Sequence, residues 1–230
     1  MDDTNILIEA HICAGANGVR MELPTASVQD LEEYAVFLCA QGGNDVLDDV
    51  LHQVPYLVWA EGLAQALTQN HWNVVHHIEE QLAQHNQSDT VKKVFPKMWA
   101  SACIRHNLEE LRWLNKFKPT LLNYKEAALQ SVRGPSSELL KWALDNWKEN
   151  AQPSDKFINT VFSDAVRLRN PTMIKTVLPF LAEEALHNLV SASSANPHVF
   201  GRECHSVLEK AVLEWSIEGT ENPIVSKRKM

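Results

Sequence analysis

The chain has no CxxC pair, no run of 18 apolar residues and no excess of basic residues, and it is poor in glycine (8) and proline (10) for a length of 230. Each shortage closes off a class. So little glycine and proline excludes a collagen-like or low-complexity polymer. Without a long apolar run there is no candidate membrane-spanning helix. The start, Met-Asp-Asp-Thr-Asn, lacks the basic region and apolar stretch of a signal peptide. A net charge of −8 argues against a broad nucleic-acid footprint, although a local basic patch remains compatible with it. Cys13, Cys39, Cys103 and Cys204 lie far apart, three of them within apolar helical patterns, which reads as reduced, buried thiols in a cytoplasmic compartment. No motif calls for a cofactor. What is present is 45% hydrophobic residues, enough for one compact domain or one short array.

That apolar content is periodic. A pattern recurs about every 30 to 36 residues: large apolar residue, small residue, polar turn, then apolar residues at helical spacing. With the turn residues His71, Asn107 and Asn170 as origins, a small residue stands five before each (Ala66, Ala102, Ala165). A large one stands eight before (Leu63, Trp99, Phe162), and apolar residues stand four and seven after. Asn44 and Ser136 serve as origins of two less regular copies. Such self-similarity predicts stacked helix–turn–helix repeats. The expected organisation is an N-terminal segment over 1–27, a helical repeat array over 28–216 and a flexible tail over 217–230. Within the first segment, Asn17-Gly18 between two strand-like runs predicts a small β-hairpin, with a Gly-broken helix as the competing reading. Ser27 is placed to cap the next helix. Trp99, Trp113 and Trp142 fall on apolar faces, where large rings fill irregular gaps.

The order Leu63, Ala66, Asn70-His71, Val74-Val75 resembles the helix–turn–helix core of ankyrin repeats. So do Trp99, Ala102, His106-Asn107, Leu111 and Phe162, Ala165, Asn170, Ile174, and the likeness covers roughly residues 35 to 180. The Thr-Pro-Leu-His box of that family is absent; the matching positions read Glu61-Gly62-Leu63-Ala64, Lys97-Met98-Trp99-Ala100 and Thr160-Val161-Phe162-Ser163. The resemblance therefore implies an all-α, short αα-solenoid of divergent ankyrin-like repeats. It also implies a non-enzymatic protein–protein interaction module that binds a partner protein, of unnamed identity, through its concave face. In such units the two residues before the turn face that surface. Carried over, they are Thr68-Gln69, Ile104-Arg105 and Arg167-Leu168, with Arg133 from the irregular unit. Divergent chains of this style resemble host-directed effectors and inhibitors of viruses and host-adapted bacteria. The alternative is an enzyme or enzyme inhibitor acting through the N-terminal segment, with the repeats as scaffold.

Other constellations point to bland roles. His76-His77-Ile78-Glu79-Glu80 lacks HExxH spacing and its histidines diverge, so no metal site is expected. Cys103 with His106 offers a thiol and an imidazole but no third orienting group, and no catalytic residue is assigned. Lys92, Lys93, Lys97, Arg105, Arg112, Lys116 and Lys118 make one unit locally basic, a solvated face or a patch for an acidic partner.

Overall fold

The computed structural model describes residues 5–43, 45–150, 155–181, 188, 191, 195 and 201–221. These residues are predominantly α-helical and contain no strand. The helices are α1 (Ile6–Glu22), α2 (Val28–Ala40), α3 (Leu47–Leu51), α4 (Tyr56–Thr68), α5 (Trp72–Gln84) and α6 (Val91–Ile104). There follow α7 (Leu108–Leu114), α8 (Leu121–Arg133), α9 (Ser137–Asn150), α10 (Asp155–Arg167), α11 (Pro171–Val177) and α12 (Arg202–Glu221). The chain forms two compact units, one of Met1–Ala102 with Glu109–Phe117, the other of Cys103–Leu108 with Lys118–Met230.

The expected hairpin is not there. Residues 6–22 are helical, broken by Gly15 at φ 60°, ψ −150°, a conformation essentially reserved for glycine. Distant contacts decide in favour of the helix. The Asn5 side chain accepts hydrogen bonds from the Leu7 and Ile8 amides and donates to the Asp30 carbonyl at 2.9 Å. His11 Nδ1 lies 3.0 Å from the Tyr34 hydroxyl, and Arg20 reaches Asp45 at 2.8 Å. Ser27 caps α2 in a reciprocal box with Asp30, whose carboxyl is held below its usual range chiefly by the Ser27 hydroxyl.

In the first unit α2 packs on α4 and α4 on α5. The α2–α4 approach depends on Gly62, where an added Cβ would stand 2.6 Å from Cys39 Sγ. In the second unit α8 packs on α9, α10 on α11 and α8, and α11 on α9 and α12. Pro171 takes the first turn of α11 behind the Asn170 cap, and Pro179 lies in a 3-10 turn that follows α11. The helix α12 continues to Glu221, past the expected start of the tail at 217. Pro153, Ser154, most of 182–193 and the Lys227-Arg228-Lys229-Met230 terminus lie outside the described residues.

The turns explain the repeating sequence offsets. In three units the residue just before the polar origin is left-handed: Asn70 (φ 60°), His106 (φ 55°) and Arg169 (φ 51°). That residue ends the first helix, and the next amide bonds back to the small residue's carbonyl, His71 to Ala66 at 2.8 Å and Asn170 to Ala165 at 3.1 Å. The α2–α3 copy uses the same closure one residue earlier than expected, at Gly42 (φ 94°), with the Gly43 amide on the Leu38 carbonyl at 2.8 Å. Asn44, the expected origin, lies outside the described residues. The Gly134-Pro135-Ser136 turn differs: Gly134 is extended (φ −104°, ψ −175°) and Ser136 Oγ accepts from the Leu139 amide. Proline fixes φ near −65° and cannot be left-handed.

Cys39, Cys103 and Cys204 are buried, Cys13 is exposed, and all four are free thiols. Burial pushes the Cys39 thiol up to about 12. Burial, then Glu203, also raise Cys204 against a smaller opposing effect of Arg169. Ellman's reagent at mildly alkaline pH should therefore find a single fast thiol, Cys13, with the rest reacting only on denaturation. Cys13→Ser should remove the fast phase. Rapid modification of Cys39 in native protein would contradict its burial. Because the folded Cys39 value exceeds the unfolded one, its contribution is intact below the ordinary thiol pKa. It is lost progressively as pH rises from there toward about 12.

Candidate partner-binding surface

Five of the seven residues expected to face a partner fall in the second unit, where contacts link the turns that carry them. Ile104 ends α6, and Arg105 and His106 follow it into the turn. The His106 ring lies against Gly134 so closely that any Cβ there would collide with it. Gly134 directly follows Arg133, the last residue of α8. Arg133 in turn stands 3.9 Å from Asp164 of α10, and Arg167 donates to the other oxygen of that carboxylate at 3.1 Å. Leu168 and Arg169 complete the row. The sequence thus places charged residues at helix C-termini, where the dipole favours cations, and the turns bring them side by side.

The row combines charge with apolar surface. The Arg133 and Arg167 side chains are 56% and 66% exposed, whereas Asp164 between them is 19% exposed. Arg105 and Arg169 are also exposed. Ile104 is 67% and Leu168 43% exposed. Two guanidinium groups sharing one carboxylate hold an anion; they offer no nucleophile or proton acceptor of their own.

Thr68 and Gln69 belong to the first unit. Thr68 donates to the Ala64 carbonyl at 2.8 Å, and Gln69 is the exposed C-cap of α4. Thr68 also lines a cavity of about 240 Å³ with Val36, Glu61, Val94, Lys97 and Met98 among its walls. Three first helices of successive sequence copies, α2, α4 and α6, thus contribute to one cleft.

The expected basic patch over 92–118 is partly neutralised in place. Lys92 pairs with Asp89 at 2.7 Å. Lys116 pairs with Glu79 and lies 3.8 Å over the Trp113 ring. Trp99 is fully buried, while Trp113 and Trp142 are half-buried. His76 is exposed near Glu79, and half-buried His77 points the other way, 2.6 Å from Asp48. Among the described residues no three His, Cys, Asp or Glu side chains gather into a metal-holding group. Cys103 lies in the buried wall of α6.

Sequence reasoning missed Asp164 and the spacer role of His106. The Asp164–Arg167 spacing of three on a helix was a readable signal for the first pair. The Arg133–Asp164 and His106–Gly134 contacts join residues far apart in sequence and leave no local trace. His71 acts as a comparable spacer in the first unit, its ring against Gly42 and Nε2 3.0 Å from the Ala40 carbonyl. Also, no helix among the described residues is long and apolar enough to cross a membrane. Comparison with known protein families, curated proteins and solved structures finds no match to this chain.

Proposed function

We propose that the chain is a non-enzymatic protein–protein interaction module: a short array of divergent ankyrin-like repeats that receives a partner protein along the turn-proximal row of the second unit. The observation that carries this reading is the row itself. Ile104, Arg105, Arg133, Arg167 and Leu168 each stand two or three residues before a turn origin, and contacts through His106, Gly134 and Asp164 join those turns. Arginine is enriched in protein interfaces, and exposed apolar side chains beside it supply area to remove from water. The recurring left-handed turns and the buried small residues at one offset support the repeat reading. Protein recognition by repeat arrays supports the rest.

The test is capture of a stoichiometric partner by the tagged chain, followed by charge reversal in the row. Arg105→Glu and Arg167→Glu should each weaken binding by roughly tenfold at low salt and less at high salt, with the helical content unchanged. Lys175→Glu, exposed on α11, is the control expected to leave binding intact. Glu79 is unsuitable as a control because it pairs with Lys116. Turnover of a small molecule without any partner would overturn the module in favour of an enzyme.

A further inference from the structure

We propose that the row takes an acidic, aliphatic-rich segment of the partner polypeptide, with carboxylates at Arg133 and Arg167 and branched apolar side chains at Ile104 and Leu168. This rests on the row being the partner surface and adds what the partner must look like.

The argument begins with charge. The whole chain carries −8, yet the row sets Arg133 and Arg167 at a single carboxylate, Asp164, with Arg105 and Arg169 exposed in the turns of the same unit. Asp164 accepts a hydrogen bond from Arg167 at 3.1 Å and lies 3.9 Å from Arg133, so two guanidinium groups stand beside one carboxylate. More than half of each arginine side chain faces solvent, while the Asp164 side chain is largely covered. Arginine presents five donors in a planar fork, and one internal oxygen occupies only part of that capacity. A second carboxylate approaching from solvent therefore meets two neighbouring guanidinium groups, one of them (Arg167) already held in place by a hydrogen bond, which lowers the ordering cost of binding.

Surrounding charge narrows the approach. An acidic segment is repelled by the net charge of the chain beyond the row and attracted within a Debye length of it, about 8–10 Å at physiological salt. That difference steers the segment onto the row and disfavours off-register binding. A long polyphosphate or an anionic membrane has no such short reach and meets the −8 chain over a wide area. Neither has a use for Ile104 and Leu168, at 67% and 43% exposure. Aliphatic side chains do, because burying them against Ile104 and Leu168 removes apolar area from water.

The probe is a fluorescein-labelled peptide of about 12 residues alternating glutamate and leucine, with a glutamine–leucine peptide as its neutral isostere, long enough to line several sites as short recognition segments do. Anisotropy titrations of the full chain should show the acidic peptide binding at least about tenfold tighter than the neutral one at about 50 mM salt, the gap shrinking at about 300 mM. Arg133→Gln/Arg167→Gln should erase the gap. So should Arg133→Glu/Arg167→Glu, and the glutamine pair keeps the test valid if added negative charge beside Asp164 disturbs the fold. Ile104→Ser/Leu168→Ser should weaken both peptides by several-fold, as loss of apolar burial requires. Equal binding of the two peptides, or full binding by the glutamine double variant, overturns the proposal. So does tighter, arginine-dependent binding of oligouridylate or phosphatidylserine vesicles. If a captured protein partner is lost with Arg105→Glu and Arg167→Glu while the acidic peptide never binds, the row remains a partner surface and only this inference falls.

Discussion

Trp59→Ala is expected to be the most damaging single substitution in the first unit, costing roughly 3–5 kcal/mol as buried large-aromatic truncations do. Trp59 is 2% exposed at the start of α4. Its ring packs edge-on to Tyr56 at 5.1 Å and to His52 and His85 at 5.8 Å. Its indole donates to the Leu51 carbonyl at 2.6 Å and the Val54 carbonyl at 3.3 Å. Those carbonyls close α3 and the turn after it, so one side chain fills space and ties two helices together. Trp59→Phe separates the two contributions. It keeps most of the packing and loses the hydrogen bond, for which about 1 kcal/mol is the ordinary loss. Urea denaturation followed by circular dichroism measures both. A Trp59→Ala loss under about 1 kcal/mol, well below the range for such truncations, would mean that the site collapses around the gap.

The second large effect concerns the small residue five before each turn. Ala66, Ala102 and Ala165 have no exposed surface. Replacing any one by leucine adds three heavy atoms to a close-packed site and should cost roughly 1–3 kcal/mol. Ser163→Leu is a fitting control, since Ser163 is exposed on the same helix as Ala165. Three neutral alanine-to-leucine substitutions would show that the repeat offset has no steric meaning.

How much of this was legible follows from the range of each interaction. The helix pairs and their turns were readable because capping, left-handed closure and apolar periodicity act over a few residues. Ser27, Asn170-Pro171 and the Ala66 and Ala165 offsets all behave as local chemistry dictates. Local rules faltered where two local answers were close in free energy. At the α2–α3 turn, adjacent glycines let the chain close one residue before the expected asparagine, since either glycine tolerates positive φ. At α8, a Thr120–Asn123 capping box starts the helix at Leu121.

Two features needed the tertiary structure. Residues 6–22 carry both a hairpin signal and a Gly-broken helix signal. The helix prevails because Asn5 bonds to Asp30, His11 to Tyr34 and Arg20 to Asp45, contacts 23 to 25 residues away in sequence. The candidate surface is the other. Sequence offset alone determined that Ile104, Arg105, Arg133, Arg167 and Leu168 stand at the ends of first helices, because helix length and turn chemistry are local. Only packing decided that His106 meets Gly134 and that Arg133 shares Asp164 with Arg167. Those partners lie 28 and 31 residues apart, and a Coulombic or steric contact depends on distance in space, which periodicity does not specify.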